Sequence, residues 1–481
     1  MSMDTLTAAL GVLHGLAVVS FTIRILLRDD LSPPARLAWF IALILLPLFG
    51  FLAYFLFGEV DLGHRARKRH EAIFNLIRTR APAHMGDPSG LDLIDRDFRP
   101  AFAYAASING FYPVPGNRAE LLPGPEDFLD RVVADIDLAE EHVHVLFYIW
   151  LEDSTGRAIA RALIRAAERG VTCRAIADGL GSRHLIRSAL WAEMKAAGVQ
   201  LAVAFPLSNL LRTMMTSRID LRNHRKITVI DGRVTYCGSQ NSADPAFLVK
   251  ARFAPWVDIM ARFTGPVVDQ NQMLFASDWM QATGEVLDGL KLVGDPAPGG
   301  FPAQVIGDGP TERRGATPQL FASLIGCARH EVILTTPYFV PDTTVFEALG
   351  AAAWRGVRVV LIFPRKNDSW IVASASRSYY RRLLEAGCEI HEYRDGLLHA
   401  KTLTVDGKIS LIGSSNLDLR SFDLNYENNI LLQDSAMTRA IRERQESYLP
   451  KSEPVDLETV LRWPFYRRIW NNVVATVGPI L

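Results

Sequence analysis

The chain has 481 residues, of which 49% are hydrophobic, and its 52 basic residues are balanced by 52 acidic ones. This length exceeds one ordinary hydrophobic core and predicts two or three domains. The balanced charge argues against a nucleic-acid-binding protein, which would usually carry a basic excess, and the apolar content leaves room for a lipid-embedded segment.

Two apolar runs open the chain, Leu6–Ile23 and Leu37–Phe57. The second run carries no charge and is long enough for a bilayer core at about 1.5 Å of helical rise per residue. The segment between them, Arg24–Arg36, has the length and prolines of a tight connection. We therefore predict an N-terminal transmembrane helical hairpin within residues 1–60. A buried hairpin of a soluble protein is the alternative, whereas a signal peptide would need a basic start that this chain lacks.

Basic residues follow the predicted hairpin in the segment His64–His70, with Arg78 and Arg80 beyond it. Lys and Arg are fewer in the short connection, and the positive-inside rule places the more basic flank in the cytoplasm. The large C-terminal part is therefore expected on the cytoplasmic side of the membrane.

Beyond residue 90 the pattern is α/β and occurs twice. Each copy has a strand, a capped helix and a second strand, in the ranges 142–150, 156–169, 171–177 and 331–339, 343–355, 357–363. Asp153 and Asp342 are suited to cap the two helices. The repeat predicts two homologous domains, 61–293 and 303–481, separated by the Gly- and Pro-rich stretch Gly294–Pro302.

Each half carries the same polar motif, and six residues recur at identical spacing. They are His224, Lys226, Asp231, Gly238, Ser239 and Asn241 in the first half, and His399, Lys401, Asp406, Gly413, Ser414 and Asn416 in the second. Residues two apart in a strand share one face, and Asp-Gly between apolar runs favours a hairpin turn. Two facing hairpins would offer imidazoles, ammonium groups and neutral donors to a phosphate group.

The doubled motif resembles the HxK(x4)D(x6)GSxN signature of the phospholipase D superfamily. The resemblance implies a phosphohistidine mechanism without a metal or other cofactor, in which one histidine attacks phosphorus and the other protonates the leaving alcohol. It also implies that a downstream carboxylate orients each histidine. Glu427 follows His399, and Asp258 follows His224, so these carboxylates complete the expected catalytic set of the two histidines, Lys226, Asp231, Lys401 and Asp406. The aspartates of the motif also have a simpler reading as turn residues.

The text around the motifs is similar to that of bacterial cardiolipin synthases in the hairpin, in Thr336–Asp342 and in Asn416–Glu427. This likeness predicts phosphatidyl transfer between two phosphatidylglycerol molecules, giving cardiolipin and glycerol. We expect Ser239, Asn241, Ser414, Asn416, Arg420 and Tyr338 to bind substrate. Core packing is an alternative for Tyr338, and a surface cation for Arg420.

Other functions stay open at this stage. A phospholipase D-type hydrolase or a transferase using another lipid or alcohol would need the same residues. A nuclease is disfavoured by the balanced charge and the membrane tether, and a scaffold would be expected to lose a motif residue. The sequence does not decide which histidine is the nucleophile. Two further segments, Phe205–Met215 and Arg462–Trp470, are each either interfacial or packed against the protein.

The four cysteines, Cys173, Cys237, Cys327 and Cys388, have no metal-binding spacing. We expect them to be small, buried apolar groups in a reducing compartment.

Overall fold

A computed structural model of the chain describes residues 3–28, 31, 33–46, 49–54, 64–206, 220–287 and 289–476. The described residues up to Tyr54 belong to one compact unit, and those from His64 onward belong to a second, larger one. Most of the segment Phe205–Met215, from position 207, and the end of the second apolar run lie outside the described residues.

The N-terminal unit is helical. Helix α1 spans Met3–Leu26 and covers the whole of the first predicted apolar run, whereas the described part of the second run is divided between α2 (Pro33–Leu45) and α3 (Phe49–Ala53). A small core joins them, formed by Ile25, Leu43 and Tyr54. No helix within the described residues is both long and apolar enough to cross a membrane.

The larger unit alternates helices and strands. Its described helices are α4 (His64–Arg80), α5 (Arg99–Asn109), α6 (Pro125–Asp137), α7 (Ser154–Glu168), α8 (Arg183–Ile186), α9 (Ala189–Ala196), α10 (Val267–Thr283), α11 (Ala316–Cys327), α12 (Thr343–Trp354), α13 (Trp370–Glu385), α14 (Leu419–Asp423), α15 (Ser435–Glu446), α16 (Leu457–Leu461) and α17 (Phe465–Thr476). Short 3₁₀ helices lie at Pro82–Met85, Pro88–Leu93, Leu248–Phe253 and Leu449–Lys451.

The strands of the first half are β1 (Val114–Leu121), β2 (His142–Phe147), β3 (Thr172–Asp178), β4 (Gln200–Ala204), β5 (Arg222–Asn223), β6 (Lys226–Ile230), β7 (Val234–Gly238), β8 (Trp256–Val257) and β9 (Met260–Thr264). Those of the second half are β10 (Phe301–Asp308), β11 (Glu331–Thr335), β12 (Phe339–Val340), β13 (Arg358–Pro364), β14 (Glu389–Tyr393), β15 (Leu397–Leu398), β16 (Thr402–Val405), β17 (Ile409–Gly413), β18 (Leu417–Asp418), β19 (Asn425–Gln433) and β20 (Ser452–Pro454).

The sheet repeats the same strand order in both halves. The first half runs β4-β3-β2-β6-β7-β9-β1, and the second runs β14-β13-β11-β16-β17-β19-β10. The halves meet where β1 pairs antiparallel with β10, with Val114 opposite Ala303. The expected duplication is therefore present as two α/β halves, and they share one continuous sheet flanked by helices.

Helices cover both faces of this sheet. Helix α10 is buried from Val267 to Met280, including its polar residues, and it packs on strands of both halves. Helix α5 precedes the first repeat in sequence, yet its Phe102 belongs to the core of the second half, together with Leu320 of α11. The apolar face of an isolated helix cannot reveal which sheet it will cover, so this arrangement was not predictable from the repeat.

The expected helix caps are confirmed. The Asp153 carboxylate accepts a hydrogen bond from the amide of Gly156 at 3.0 Å, and Asp342 accepts one from Val345 at 3.0 Å. The expected burial of the cysteines holds for Cys173, Cys237 and Cys388, whereas Cys327 is half-buried.

Asp231 and Asp406 lie in the turns of the motif hairpins, at the end of each strand remote from the histidine. Both adopt positive φ angles, 52° and 51°, as does the glycine after each. The Asp231 carboxylate accepts hydrogen bonds from the amides of Glu140, Glu141 and His142. Asp406 does the same with the amides of three residues, Arg329, His330 and Glu331.

The expected catalytic role of these two aspartates is therefore corrected to a structural one. The hydrogen bonds that these two carboxylates accept come from backbone amides just before, or at, the first residue of β2 and of β11. Without the carboxylates, these amides would lack partners at the start of each strand. The turn reading of Asp-Gly is the one that the structure supports.

We predict that Asp231→Ala lowers the free energy of unfolding by about 1–3 kcal/mol, because three backbone amides at the start of β2 lose their acceptor. Activity per folded molecule should change little. Urea titration of the purified protein in detergent measures the effect. The matched control is Asp130→Ala in α6, where the side chain is exposed. Equal stability of the two variants would contradict the structural role.

Candidate active site

Two short strand pairs cross between the halves and assemble the site. Strand β8 pairs in parallel with β15, with Val257 opposite Leu398. Asp258 follows directly after β8, and His399 follows directly after β15. Strand β5 pairs in parallel with β19, with Asn223 opposite Tyr426. These registers place each motif histidine beside a carboxylate of the other half.

The histidine–carboxylate pairing is crossed. His224 Nδ1 lies 2.8 Å from Glu427 Oε2, and His399 Nδ1 lies 2.6 Å from Asp258 Oδ1. The expectation that each carboxylate orients the histidine that precedes it in sequence is therefore wrong. Sequence distance misled because the partners meet through pairing between strands of different halves.

Burial and these carboxylates together set the charge of the pairs. Burial lowers the pKa of His224 to about 4, and Glu427 only partly offsets it. Burial likewise lowers the pKa of His399. Burial opposes ionisation of Asp258, but His399 and Lys401 outweigh it and bring the pKa down to about 2. Neutral imidazoles whose Nδ1–H faces a carboxylate leave Nε2 available to attack or to carry a proton.

The motif serines support the carboxylates. Ser239 Oγ donates to Asp258 at 2.6 Å, and Ser414 Oγ donates to Glu427 at 2.5 Å. Both serines are fully buried. Their expected role as substrate-binding residues is therefore corrected: each hydroxyl has its proton committed to a carboxylate, so it orients the histidine indirectly.

The motif lysines lie buried next to the histidines. Lys226 Nζ donates to the carbonyl oxygen of His224 at 2.6 Å, and Lys401 Nζ donates to that of His399 at 2.6 Å. Burial lowers the pKa of Lys226 to about 8 and that of Lys401 to about 7, with the nearby carboxylates opposing the shift. An anion bound between the histidines would favour the charged form of both lysines.

The motif asparagines line the pocket above the histidines. Asn241 Oδ1 accepts a hydrogen bond from the amide of Ile149 at 3.2 Å. Asn416 Nδ2 donates to Ser421 Oγ at 3.1 Å. The buried Oδ1 of Asn416 has no hydrogen-bond partner among the described residues. Both amides are thus fixed by the protein beside the histidines.

The two histidines share one pocket of about 550 Å³. An aromatic ring packs on each imidazole, Tyr148 on His224 at 4.9 Å and Trp256 on His399 at 4.5 Å between ring centroids. Away from the histidines the walls are largely apolar, with Ile371 among the side chains of α13. The pocket therefore combines a polar floor with walls that suit a lipid.

Tyr338 and Arg420, which the sequence predicts to bind substrate, also line this pocket. Tyr338 donates its hydroxyl to Asp368 at 2.8 Å, and Arg420 donates to the carbonyl oxygen of Asp220 at 3.1 Å. Asp368 also pairs with Lys250 of the first half at 2.5 Å. Contact of Tyr338 and Arg420 with a substrate stays a prediction.

Sequence reasoning missed several residues of the pocket wall, namely Tyr148, Trp256, Asp418 and Asn425. Trp256 and Asn425 each stand two residues before a carboxylate of the crossed pairs, a repeated offset that could have identified them. Burial raises the pKa of the Asp418 carboxyl to about 6. Nothing in the linear pattern marks Tyr148, which reaches the site from the end of a buried strand.

Arg225 links the backbone of the active site to helix α10. Its guanidinium pairs with Asp278 of α10 at 2.7 Å and donates to the backbone carbonyl groups of Glu427 and Asp308. The side chain is fully buried, so its charge is stabilised only because these partners surround it. Among the described residues, no group of three or more His, Cys, Asp and Glu side chains is arranged to hold a metal ion.

Comparison with known proteins agrees with this geometry. Residues 132–279 and 321–448 match the family described as "Cardiolipin synthase, PLD-like domain", and residues 16–59 match "Phospholipase_D-nuclease N-terminal". The chain is 35% identical to cardiolipin synthase A of Yersinia pseudotuberculosis, over 97% of both chains. It is equally similar, 35% over 97% of both chains, to cardiolipin synthase A of Serratia proteamaculans.

A solved structure shares the fold. The crystal structure of phosphatidylserine synthase from Haemophilus influenzae aligns with 80% of this chain and 100% of that chain, with a TM-score of 0.59 and 15% identity. Each of the two segments that match the cardiolipin synthase domain contains one motif histidine, His224 or His399. The chain therefore belongs to the cardiolipin synthase family of phospholipase D-like proteins.

Proposed function

We propose that this protein is a phosphatidyltransferase that converts two phosphatidylglycerol molecules into cardiolipin and glycerol. The observation that carries the proposal is the pair of imidazoles in one largely apolar pocket, each hydrogen-bonded to a carboxylate of the other half. Similarity to cardiolipin synthases A over nearly the whole chain selects the reaction from those that such a pair can catalyse.

In the first step, Nε2 of His224 attacks the phosphorus of one phosphatidylglycerol, and the bond from phosphorus to the glycerol oxygen breaks. His399 supplies a proton to the departing glycerol. The anionic phosphodiester favours the protonated form of His399 before the reaction, and Asp258 stabilises that imidazolium at 2.6 Å. The product of this step is a phosphatidyl group bonded to His224.

In the second step, the neutral His399 removes a proton from the terminal hydroxyl of a second phosphatidylglycerol. The resulting oxygen attacks phosphorus, the P–N bond breaks and His224 is regenerated. One phosphodiester replaces another, so no nucleotide is consumed. We assign stabilisation of the phosphoryl oxygens to Lys226, Lys401, Asn241 and Asn416, which surround the histidines with donors. Tyr338 and Arg420 are assigned to the lipid headgroups.

Product analysis tests the reaction. Purified protein in detergent, given labelled phosphatidylglycerol alone, should release cardiolipin and glycerol in equal amounts. The His224→Ala variant should lose the activity by at least about 10³-fold, because it removes the nucleophile. Phosphatidic acid as the product would identify water as the acceptor and a phospholipase instead. Failure of the wild-type protein to turn over would exclude phosphatidylglycerol as the donor.

The crossed pairs predict different defects for the two carboxylates. The test substrate is a p-nitrophenyl ester of phosphatidic acid, whose leaving group departs without a proton. The Asp258→Asn variant should therefore form the phosphoenzyme at the normal rate but break it down on the order of 10³-fold more slowly, because breakdown needs His399 as a base. The Glu427→Gln variant should slow formation of the phosphoenzyme by a similar factor, because His224 becomes a weaker nucleophile without its carboxylate. Acid-stable and acid-labile phosphate in quenched samples distinguish the phosphoenzyme from free product.

The two amide variants are matched in size to the carboxylates and serve as each other's controls. If the phosphoenzyme instead accumulates only in the Glu427→Gln variant, the nucleophile is His399. Equal defects in both variants would contradict the division of roles.

The N-terminal helices are proposed to anchor the protein in a bacterial inner membrane, with the catalytic halves in the cytoplasm. Support comes from the many large apolar side chains that α1 and α2 expose, among them Val12, Leu16, Leu37 and Ile41. The match of residues 16–59 to an N-terminal family segment also supports it. The proposed organisation is a hairpin within 1–60, followed by catalytic domains 61–293 and 303–481.

Removal of residues 1–60 is expected to weaken membrane attachment strongly, because the exposed apolar helices are lost. Sedimentation with salt-washed membranes measures it, and the full chain is the control. Undiminished sedimentation of the truncated protein would contradict the view that these helices are the main anchor.

A further inference from the structure

Helix α17 near the C-terminus exposes an unusual set of side chains. Phe465, Tyr466, Ile469, Trp470 and Val473 are all at least half exposed, up to 75% for Phe465. On the opposite side of the helix, Asn471 and Val474 are buried. The large apolar residues of this amphipathic helix thus face solvent, the reverse of what a soluble surface helix requires.

This helix adjoins the wall of the active-site pocket. It packs on α13, and Val474 shares a small apolar cluster with Ala375 of α13 and Val340. Ile371, Val372 and Ala375 of α13 line the pocket itself. At the start of α13, Trp370 is 62% exposed and stacks on Trp470, with ring centroids 5.9 Å apart.

The first half supplies further exposed apolar side chains at the pocket. Leu248 is 80% exposed and Val249 is 63% exposed, and Val249 lines the pocket. The next residue, Lys250, pairs with Asp368 across the pocket at 2.5 Å. Both halves therefore carry exposed apolar side chains on, or directly beside, segments that line the same cavity.

The five exposed apolar side chains of α17, with Trp370 stacked on one of them, mark an interaction surface, because exposed apolar residues on a soluble protein usually occur singly. Trp, Tyr and Arg together are typical of the water–lipid interface, where one end of each side chain is apolar and the other polar. Arg252, Lys366 and Arg468 are exposed and lie within four residues of these apolar side chains along the chain. Their charge complements anionic headgroups, with each basic residue near the surface contributing to attraction.

We propose that α17, Trp370 and Leu248–Val249 form a rim that inserts into the surface of an anionic phospholipid bilayer, so that lipids enter the pocket directly from the membrane. This contact is proposed in addition to the anchoring role of the N-terminal helices. It rests on the proposed function only for the identity of the lipid that enters. If a protein covered the rim, the acyl chains of a lipid substrate would have to cross water to reach the pocket, which is unfavourable. If the rim is buried in a bilayer, the lipid can enter without that exposure.

Insertion can be tested without any activity measurement. A bimane label is placed on the full chain at Trp470→Cys and, as a control, at Trp354→Cys, which also replaces an exposed tryptophan but lies on α12. With vesicles of phosphatidylcholine and phosphatidylglycerol, the label at position 470 should shift to the blue and be quenched by brominated acyl chains. The label at position 354 should do neither. A label at position 470 that remains in water would overturn the proposal.

Delivery of lipid is tested with a variant carrying Ile469→Gln and Trp470→Gln, neither of which lines the pocket. Turnover of phosphatidylglycerol in vesicles should fall roughly tenfold, since two apolar side chains no longer favour insertion. Turnover of monomeric dihexanoyl phosphatidylglycerol should be unchanged, as should both activities of Trp354→Gln. Equal loss on both lipids, or no loss on vesicles, would overturn the delivery role. Inactivity of the wild-type protein on both lipids would refute the proposed function, and the labelling result would then decide membrane insertion by itself.

Discussion

The active site depends on two short parallel strand pairs that cross between the halves. Because β8 lies beside β15 and β5 beside β19, each histidine contacts a carboxylate from the opposite half, His399 with Asp258 and His224 with Glu427. Each of these two pairs therefore has one member from each half. The continuous sheet through β1 and β10 keeps the halves in the required register, so the fold couples the integrity of the interface to the chemistry.

Concentrating charge in this interface is costly, and the surrounding contacts offset the cost. Both lysines, Glu427 and Arg225 are buried close together, with the partly buried Asp258 among them, and an unpaired charge there would be strongly destabilising. Arg225 has Asp278 and two backbone carbonyl groups as partners. The lysines are less well satisfied, and burial depresses the pKa of both. A phosphate anion between the histidines would give both lysines a negatively charged partner. The site therefore favours binding of an anionic ligand over the stability of the empty protein.

The pocket changes from polar to apolar between the histidines and the protein surface. The polar floor suits a phosphodiester, the walls suit acyl chains, and the exposed aromatic residues beyond them suit a bilayer surface. The duplication gives two nearly equivalent histidines, yet their surroundings differ: Tyr148 packs on one imidazole and Trp256 on the other. This asymmetry is a physical basis on which two related residues can take up the unequal roles of nucleophile and proton donor.

The sequence by itself determined the repeat, the helix caps at Asp153 and Asp342, the motif hairpins and the residue types at the site, because these depend on local periodicity, turn chemistry and spacing. Only the tertiary structure decided which carboxylate meets which histidine, that Ser239 and Ser414 support carboxylates, and that Asp231 and Asp406 serve backbone amides. It also decided that α5 completes the core of the other half. Those outcomes depend on contacts between residues far apart in the chain, and the spacing within a motif carries no information about which strands will pair.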